Sequence, residues 1–551
     1  MFGRQLRLLR ILVSLLVFGT TALLFLDFAG SLQAGASNGV LFPQVTPSVL
    51  RLIEGSFLAG SSLLFVLLLT LLWGRVFCSC LCPLGLLQDA VSRFAAKPAT
   101  GRRHRHFHHA KAHEAIRYGV LLAFVIGLLT GSVLLVGLLD PYSHFGRIMV
   151  LLVRPAIVAL NNLLANASRS LGGYAPPLLD DDVAVWPLLL LPLAASVLIL
   201  GTAALRGRLF CNTLCPVGTL LGVCSRFSLF RIKIEANKCN GCGKCSLSCK
   251  AGCIDLESRT LDFSRCVACF NCIAACRHGA IDYASARSAS TSGKGGGVAP
   301  GQLPSFPMAL QTGLDSAPAD PSRRSFIATG GGWLAGLAGS GRLAEARVSR
   351  RDTEGSTVFR QAPVVKERPV LAPGAKGTDH LRSSCIACQL CVSSCPTQVL
   401  QPSLLQFGGG SALQPHLDFQ VAFCAYECTR CGEVCPTQAI GRLTSKAKKR
   451  TKIGEVRLIE EYCIAVTEKT TCGACADYCP TRAVYMVQAE GGGLRPKLDP
   501  PVCVGCGACE HVCPTRPYRA ILVEGEHEHR KAKPPRNFPF HHYREQEEFP
   551  F

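Results

Sequence analysis

Sixteen cysteines between Cys385 and Cys513 fall into four groups with one spacing theme. Cys385, Cys388, Cys391 and Cys395 read C-x2-C-x2-C-x3-C and are followed by Pro396. Cys424, Cys428, Cys431 and Cys435 add one residue to the first gap and precede Pro436. Cys463, Cys472, Cys475 and Cys479 stretch that gap further and precede Pro480, while Cys503, Cys506, Cys509 and Cys513 return to the tight form before Pro514. Three thiolates two residues apart can wrap one corner of an iron–sulfur cubane, and the fourth, three residues on, turns to a neighbouring cluster. Proline after it carries the chain out of the loop. Zinc sites present separated C-x2-C pairs instead, and a disulfide framework would not repeat one spacing with proline at a fixed place. The array therefore predicts four 4Fe–4S clusters. Pairing of neighbouring groups is favoured; nesting of the outer pair around the inner pair is the alternative.

The same run occurs earlier. Cys239, Cys242, Cys245 and Cys249 are followed by Cys266, Cys269, Cys272 and Cys276, a complete two-cluster bacterial ferredoxin pattern. Its expected ligand sets are Cys239, Cys242, Cys245 with Cys276, and Cys266, Cys269, Cys272 with Cys249. Lys250 and Arg277 stand where proline is usual. Six clusters are thus expected. A third pattern, F-C-x3-C-P-x-G, occurs twice, at Phe77–Gly85 and Phe210–Gly218. C-x3-C sets two sulfurs on one side of a helical turn. Cys78, Cys82, Cys211 and Cys215 could then serve one shared metal centre, or be a pair of loops with reduced, unligated thiols. Cys80, Cys224 and Cys253 fit no group.

The surroundings of these motifs point to a membrane. The 551 residues are 48% hydrophobic, with mean hydropathy +0.28, and their length suits about three structural units. Four apolar runs, at about residues 8–26, 56–73, 118–139 and 183–205, approach the length of a bilayer span. Basic residues cluster before the first run, between the second and third, and after the fourth, which places both ends of this unit in the cytoplasm. The same placement explains the net charge of +21 without nucleic acid, for which no motif is present. A fifth stretch, 148–164, is interrupted by Arg154 and Pro155 and reads as an interfacial or re-entrant helix. The expected fold is mixed: a four-helix transmembrane unit followed by α+β bacterial ferredoxin-type modules. The repeated motif implies an internal repeat of helix pairs.

Four spans, two cytoplasmic C-x3-C-P motifs and a following ferredoxin module resemble the NapH family over residues 1–285, with MauN and NosR as related types; Cys80 departs from the pattern. NapH is a quinol dehydrogenase subunit, so the resemblance implies a quinol site. Asp140, Tyr142 and His144, in Asp-Pro-Tyr-Ser-His at the outer end of the third run, offer a carboxylate, a phenol and an imidazole. The plain alternative is a helix cap with a solvated histidine. His104, His106, His108, His109 and His113 read as a solvated basic loop, with metal binding the alternative.

The intervening chain, 286–346, is a Ser-, Gly-, Ala- and Pro-rich linker that ends in a signal-like series. Ser322-Arg323-Arg324-Ser325-Phe326 precedes a short apolar run and Ala344-Glu345-Ala346, an A-x-A cleavage pattern. With the array that follows, this resembles the NapG and MauM families, exported folded through the Tat machinery. Loading clusters before export keeps the thiols from oxidising. The expected domains are 1–235 (membrane), 236–285 (two-cluster, cytoplasmic), 286–346 (linker), 347–525 (four-cluster, periplasmic) and 526–551 (a polar, extended tail). The resemblance implies a NapH–NapG fusion in a bacterial inner membrane, with four or five spans. It would pass electrons from quinol to a periplasmic c-type cytochrome or reductase of nitrate reduction. Alternatives are service to methylamine or nitrous-oxide metabolism, or a redox maturation role without quinol turnover. No C-x-x-C-H is present for covalent haem. The basic stretch at Lys446–Lys452 reads as a solvated face, or a dock for an acidic partner.

Overall fold

The computed structural model describes residues 2–28, 39, 42–95, 109, 113–170, 177–179, 186–285 and 366–535, apart from 236, 405, 490 and 491. The twin-arginine series, the linker and most of the histidine run lie outside the described residues.

Leucine-rich sequence with few breakers forms the first layer. Helices α1 (Phe2–Phe25), α2 (Val45–Ile53), α3 (Phe57–Trp73), α4 (Val76–Cys80) and α5 (Pro83–Ala95) make the first half. Then come α6 (Glu114–Leu129), α7 (Val133–Leu139) and α8 (Pro141–Arg147), which continues through a π-helical turn (Ile148–Val153) into α9 (Arg154–Ser170). Helices α10 (Trp186–Arg206), α11 (Leu209–Thr213) and α12 (Pro216–Ser225) complete the unit. The order α10–α11–α12 repeats α3–α4–α5, with each cysteine motif at the same place.

Among the described residues three helices are long and apolar enough to cross a membrane: Gln5–Phe25, Pro141–Ser170 and Leu189–Arg206. Their large side chains are widely exposed: Leu16 is 67%, Leu163 65% and Leu205 69% exposed. Leucine at that exposure suits lipid better than water. Two expectations change. The run 118–139 is no single span, because it turns at Gly131, whose φ is +67°, between α6 and α7. The stretch 148–164 is uninterrupted: a π turn absorbs the approach to Arg154–Pro155 within one 30-residue helix.

Among the described residues ten strands form two-stranded antiparallel pairs. Strands β1 (Phe230–Ile234) and β4 (Ile281–Ser285) pair, as do β2 (Ile254–Asp255) and β3 (Thr260–Leu261), closing the first ferredoxin module. This module therefore begins at Phe230, inside the region assigned from sequence to the membrane part. In the C-terminal array β5 (Leu400–Pro402) pairs with β6 (Pro415–Leu417), and β8 (Val484–Gln488) with β9 (Leu494–Leu498). Strand β7 (Thr451–Leu458) pairs with β10 (Ile521–Lys531). The last pair corrects the boundary at 525/526, since the supposed tail supplies half of β10. It also corrects the basic face: Lys452 is buried and sits 3.0 Å from Glu455 and 3.5 Å from Glu526, and buried Lys448 donates to the Ala425 carbonyl.

The two ferredoxin modules sit at opposite ends of the helices. Tyr283 of β4 donates to the carbonyl of Trp73 at the end of α3 (3.0 Å), and Arg117 in the first turn of α6 donates to Ser264 (3.3 Å). At the other end Ser384 donates to Glu54, just after α2. Arg147 of α8 donates to the carbonyls of Ala387 (3.1 Å) and Ile386 (3.2 Å), and Arg154 of α9 to that of Ser393 (2.7 Å).

Candidate metal centres

Each tight cysteine loop has the same backbone. The residues just before and just after its second cysteine have positive φ: Gly241 and Gly243, Ala268 and Phe270, Ala387 and Gln389, Gly505 and Gly507. Left-handed backbone costs a non-glycine residue roughly 1–2 kcal/mol. Alternating hands turn successive N–H groups inward, making a concavity for an anion such as cluster sulfide. The stretched groups at Cys424 and Cys463 lack this pair; Thr429 and Gly473 there have φ of −118° and −133°.

The thiols gather as neighbouring pairs of groups. Cys385, Cys388 and Cys391 face the charge of Cys435, while Cys424 and Cys431 face Cys395 and Cys428. Likewise Cys475 faces Cys463, Cys472 and Cys513, and Cys503, Cys506 and Cys509 face Cys479. The second and fourth groups touch, since the Cys424 N–H donates to the Cys506 carbonyl at 3.0 Å. The array is thus a line, and its Cys385 end lies against α8.

In the first module, one hollow is lined by Cys239, Cys242, Cys245 and Cys276, and another by Cys249, Cys266, Cys269 and Cys272. These are the two expected ligand sets, and they fit a cluster by donor chemistry and by enclosed space. Among the described residues no three His, Cys, Asp or Glu side chains converge as one metal ion would require. Cys253, which has no place in the pattern, lies 3.5 Å from Cys249, sulfur to sulfur, and lines the second hollow.

A further set of partners was missed from sequence. The residue two past the last cysteine of each array group is threonine, and its hydroxyl meets the cysteine sulfur. The distances are 3.6 Å for Thr397–Cys395, 3.7 Å for Thr437–Cys435, 3.7 Å for Thr481–Cys479 and 3.1 Å for Thr515–Cys513. The signal was a fourfold Cys-Pro-Thr, of which only the proline drew notice.

The two C-x3-C-P turns face each other across the helical unit, and Cys78, Cys82, Cys211 and Cys215 are all buried. Each turn is held by the arginine that precedes the other. Arg75 donates to the Cys211 carbonyl at 3.3 Å, and Arg208 donates to that of Cys78 at 2.5 Å. Gly85 and Gly218 allow this packing, because a Cβ there would lie 2.6 Å and 2.3 Å from the carbonyls of Cys78 and Cys211. Burial pushes the Cys211 thiol up to about 11, against the pull of Arg208, and pushes Cys82 and Cys215 up as well. Four buried thiols with two arginines beside them suit a multi-iron cluster, whose cationic iron would stabilise the thiolates.

This centre abuts the first ferredoxin module. Arg75 also donates to Ser264 (3.0 Å) and Asn212 (3.0 Å), and Asn212 donates to the Ala251 carbonyl (3.2 Å). The backbone N–H of Arg208 bonds the Lys250 carbonyl at 2.9 Å. Asp89 of α5 lies 2.9 Å from Arg208, 3.3 Å from Lys250 and 3.7 Å from Arg10. Burial alone would raise its pKa, but the three cations hold it well below the ordinary carboxylate range.

The quinol candidates lie on the other side of the centre. Asp140 caps α8, accepting from the Ser143 N–H and hydroxyl at 2.7 Å each, with Pro141 in the first turn. His144 is buried, not solvated: its Nε2 lies 2.7 Å from the Leu138 carbonyl and its ring packs edge-on to Phe210 at 6.3 Å. Tyr142 is 2% exposed and its hydroxyl has no hydrogen-bond partner among the described residues. Gly146 lies so close to the Cys388 carbonyl that a Cβ would come within 2.2 Å of it.

Known proteins share these parts. A family described as a 4Fe-4S binding domain matches twice, at residues 56–103 and 188–235, each segment holding one C-x3-C-P turn. A 4Fe-4S dicluster domain matches residues 470–516. The chain is 27% identical over 193 residues to the ferredoxin-type protein NapH of Haemophilus influenzae, covering 35% of this chain and 53% of the relative. It is 28% identical over 162 residues to the methylamine utilization ferredoxin-type protein MauM of Methylobacillus flagellatus, covering 27% of this chain and 66% of the relative. It is also 26% identical over 134 residues to the ferredoxin-type protein NapF of Escherichia coli, covering 24% and 73%. The chain thus spans about half to two thirds of the NapH and MauM relatives. No solved structure matches it.

Proposed function

This chain being an iron–sulfur electron-transfer protein of the NapH- and NapG-like ferredoxin type, we propose that it is a membrane quinol dehydrogenase component. It joins a NapH-like part and a NapG- or MauM-like part in one chain, and feeds electrons to an acceptor on the outer side. Four crossings carry it through the inner membrane: α1, α3, α6 with the short α7 beyond its turn at Gly131, and α10; the long helix Pro141–Ser170, whose Arg147 and Arg154 hold the array, enters from the outer side without adding a crossing. Residues 230–285 face the cytoplasm and 366–535 the periplasm.

The observation that carries this reading is the seat of the array on α8. Arg147 grips the Ile386 and Ala387 carbonyls, and the Tyr142 hydroxyl, without a hydrogen-bond partner among the described residues, lies two residues after the Asp140 cap. Tyr142 orients the quinol hydroxyl, and His144 lies within one helical turn as a proton acceptor. Asp140 acts mainly by fixing the start of α8. Six quartets of cysteine hold 4Fe–4S clusters, which supply one-electron steps when bound. Cys78, Cys82, Cys211 and Cys215 hold a further centre, since each repeat half offers only two motif thiols and a cubane takes four.

The test is reduction of the full-length protein in lipid by a quinol, read by EPR of the iron–sulfur signals. Tyr142→Phe should slow the array's reduction with its iron content unchanged. Equal rates for the variant would remove Tyr142 from the site, and failure of quinol to reduce any cluster would remove the dehydrogenase reading. Purified c-type cytochrome and methylamine-system acceptors then discriminate between outlets. A C-terminal reporter, compared with and without a working Tat system, tests the side on which the array resides.

A further inference from the structure

The first ferredoxin module lies at the wrong end of the helices for a path that runs only from quinol to the outer array, yet it is docked with care. The loop after Cys249 carries Lys250, whose ammonium meets Asp89, and its backbone is tied to Arg208 and Asn212 beside Cys211. The loop before Cys266 carries Ser264, whose carbonyl accepts from Arg75 beside Cys78. Cys269 and Val267 belong to the same buried core as Cys78, Cys82 and Cys215. From Cys211 the contacts continue: Phe210 packs on His144, Tyr142 packs near Phe25 (ring centroids 5.9 Å), and Gly146 abuts Cys388. Cysteine groups and aromatic side chains thus line a route from the first module, past the C-x3-C-P turns, to the Cys385 end of the array.

The route also has a built-in gradient. All four array groups carry a threonine hydroxyl on a cysteine sulfur. At the matching positions the first module has Ala251 and His278, and there the Cys253 thiol lies against Cys249, 3.5 Å between sulfurs. Hydrogen bonds to ligand sulfur raise a cluster's reduction potential, and a hydroxyl is a stronger donor than a thiol, so the four threonines favour movement of an electron from the first module toward the array.

We propose that the chain is a transmembrane electron conductor. It accepts single electrons from a low-potential one-electron donor at the Cys239–Cys276 end and delivers them to the outer array, with the paired C-x3-C-P turns as the crossing. This rests on the reading above that those turns hold a centre and that the modules face opposite sides. Quinol is then a second entry, not the only one.

The test uses full-length protein in sealed vesicles with the first module outward and ferric cytochrome c trapped inside. Dithionite, which does not cross the bilayer, is added outside. Each dithionite is oxidised to two sulfites and releases two electrons. Each electron reduces one ferric haem in the lumen, and potassium entering through valinomycin balances the charge. Wild-type protein should reduce the trapped haem well above the rate of empty vesicles, and freeze-quenched EPR should show the array's clusters reduced. Joint Cys78→Ser and Cys211→Ser substitution should return haem reduction to the empty-vesicle rate while the first module's EPR signal is still reduced. Absence of crossing in wild-type protein with all modules loaded overturns the proposal, whether or not the variant folds. A loaded variant that conducts like wild type also overturns it. A quinol arm in the same vesicles separates the two readings: reduction by dithionite but not quinol sinks the dehydrogenase alone, and the reverse sinks the conductor alone.

Discussion

Lys250 places its ammonium 3.3 Å from the carboxylate of Asp89, across the junction between the first ferredoxin module and the helix that follows the first C-x3-C-P turn. A ferredoxin loop usually has proline at the position of Lys250. Here the loop gives up that brace and gains a buried ion pair, which Arg208 and Arg10 share.

Asp89→Asn should therefore be costly. It leaves three cations at a buried site without their counter-charge, and breaking a buried pair typically costs about 3–5 kcal/mol. The expected result is a lower unfolding midpoint in detergent and loss of iron first from the Cys239–Cys276 module. Iron and sulfide counts on the purified variant check this. A midpoint and iron content equal to wild type would mean that the cations find other partners.

Replacing Thr515 with valine should lower the potential of the cluster that Cys513 serves. The hydroxyl lies 3.1 Å from the sulfur, the shortest of the four such contacts. Losing a hydrogen bond of about 1 kcal/mol corresponds to roughly 40 mV for a one-electron couple. An EPR-monitored redox titration should show one array signal displaced downward by that order and the others unmoved. No displacement would mean that the threonine serves only the turn.

The exchanged fourth ligands give a clean prediction. Cys435→Ser should impair the cluster of Cys385, Cys388 and Cys391, although Cys435 follows Cys431 in sequence. Cys395→Ser should impair that of Cys424, Cys428 and Cys431. The thiols face one another in this sense. Selective isotopic or EPR assignment after each substitution decides it, and loss of the sequence-local cluster in each case would contradict the pairing.

Much of this site could be read from spacing, because cysteine periodicity directly encodes ligand geometry. Spacing sorts the thiols into groups of four and favours neighbouring pairs over nesting without deciding between them, and it leaves the C-x3-C-P turns open between a shared centre and a pair of unligated loops. What escaped depends on contacts between distant residues. Lys250 counted as a weakened signature until Asp89 stood opposite it. Spacing leaves His144 open between a quinol-site imidazole and a solvated side chain, and only the inward turn of α8 against Phe210 shows it buried. The run 118–139 is apolar enough to suggest one span, and hydropathy does not register a left-handed turn at Gly131. The polar sequence 526–531 looked like a tail because alternating Glu, His and Arg do not resemble a core strand. Its partner, β7, supplies the hydrogen bonds that hold it.

That strand carries the last prediction. His529 lies on β10, its N–H bonded to the Lys376 carbonyl at 2.7 Å, and burial lowers its pKa from 6.5 to about 4. A base with a depressed folded-state pKa binds fewer protons folded than unfolded. Its contribution is therefore complete above about pH 6.5 and is lost as the pH falls toward 4. Urea unfolding of the full chain, followed by the visible absorbance of the array, should show the midpoint falling as pH drops from 7 to 5. His529→Gln removes the titrating group, so its midpoint should change less over the same interval. Truncation after Glu524, which deletes most of the strand including Arg530 and Lys531 opposite Lys452 and Thr451, should lower the midpoint at every pH. If truncation leaves the array as stable as wild type and His529→Gln keeps the full pH dependence, β10 does not brace the array.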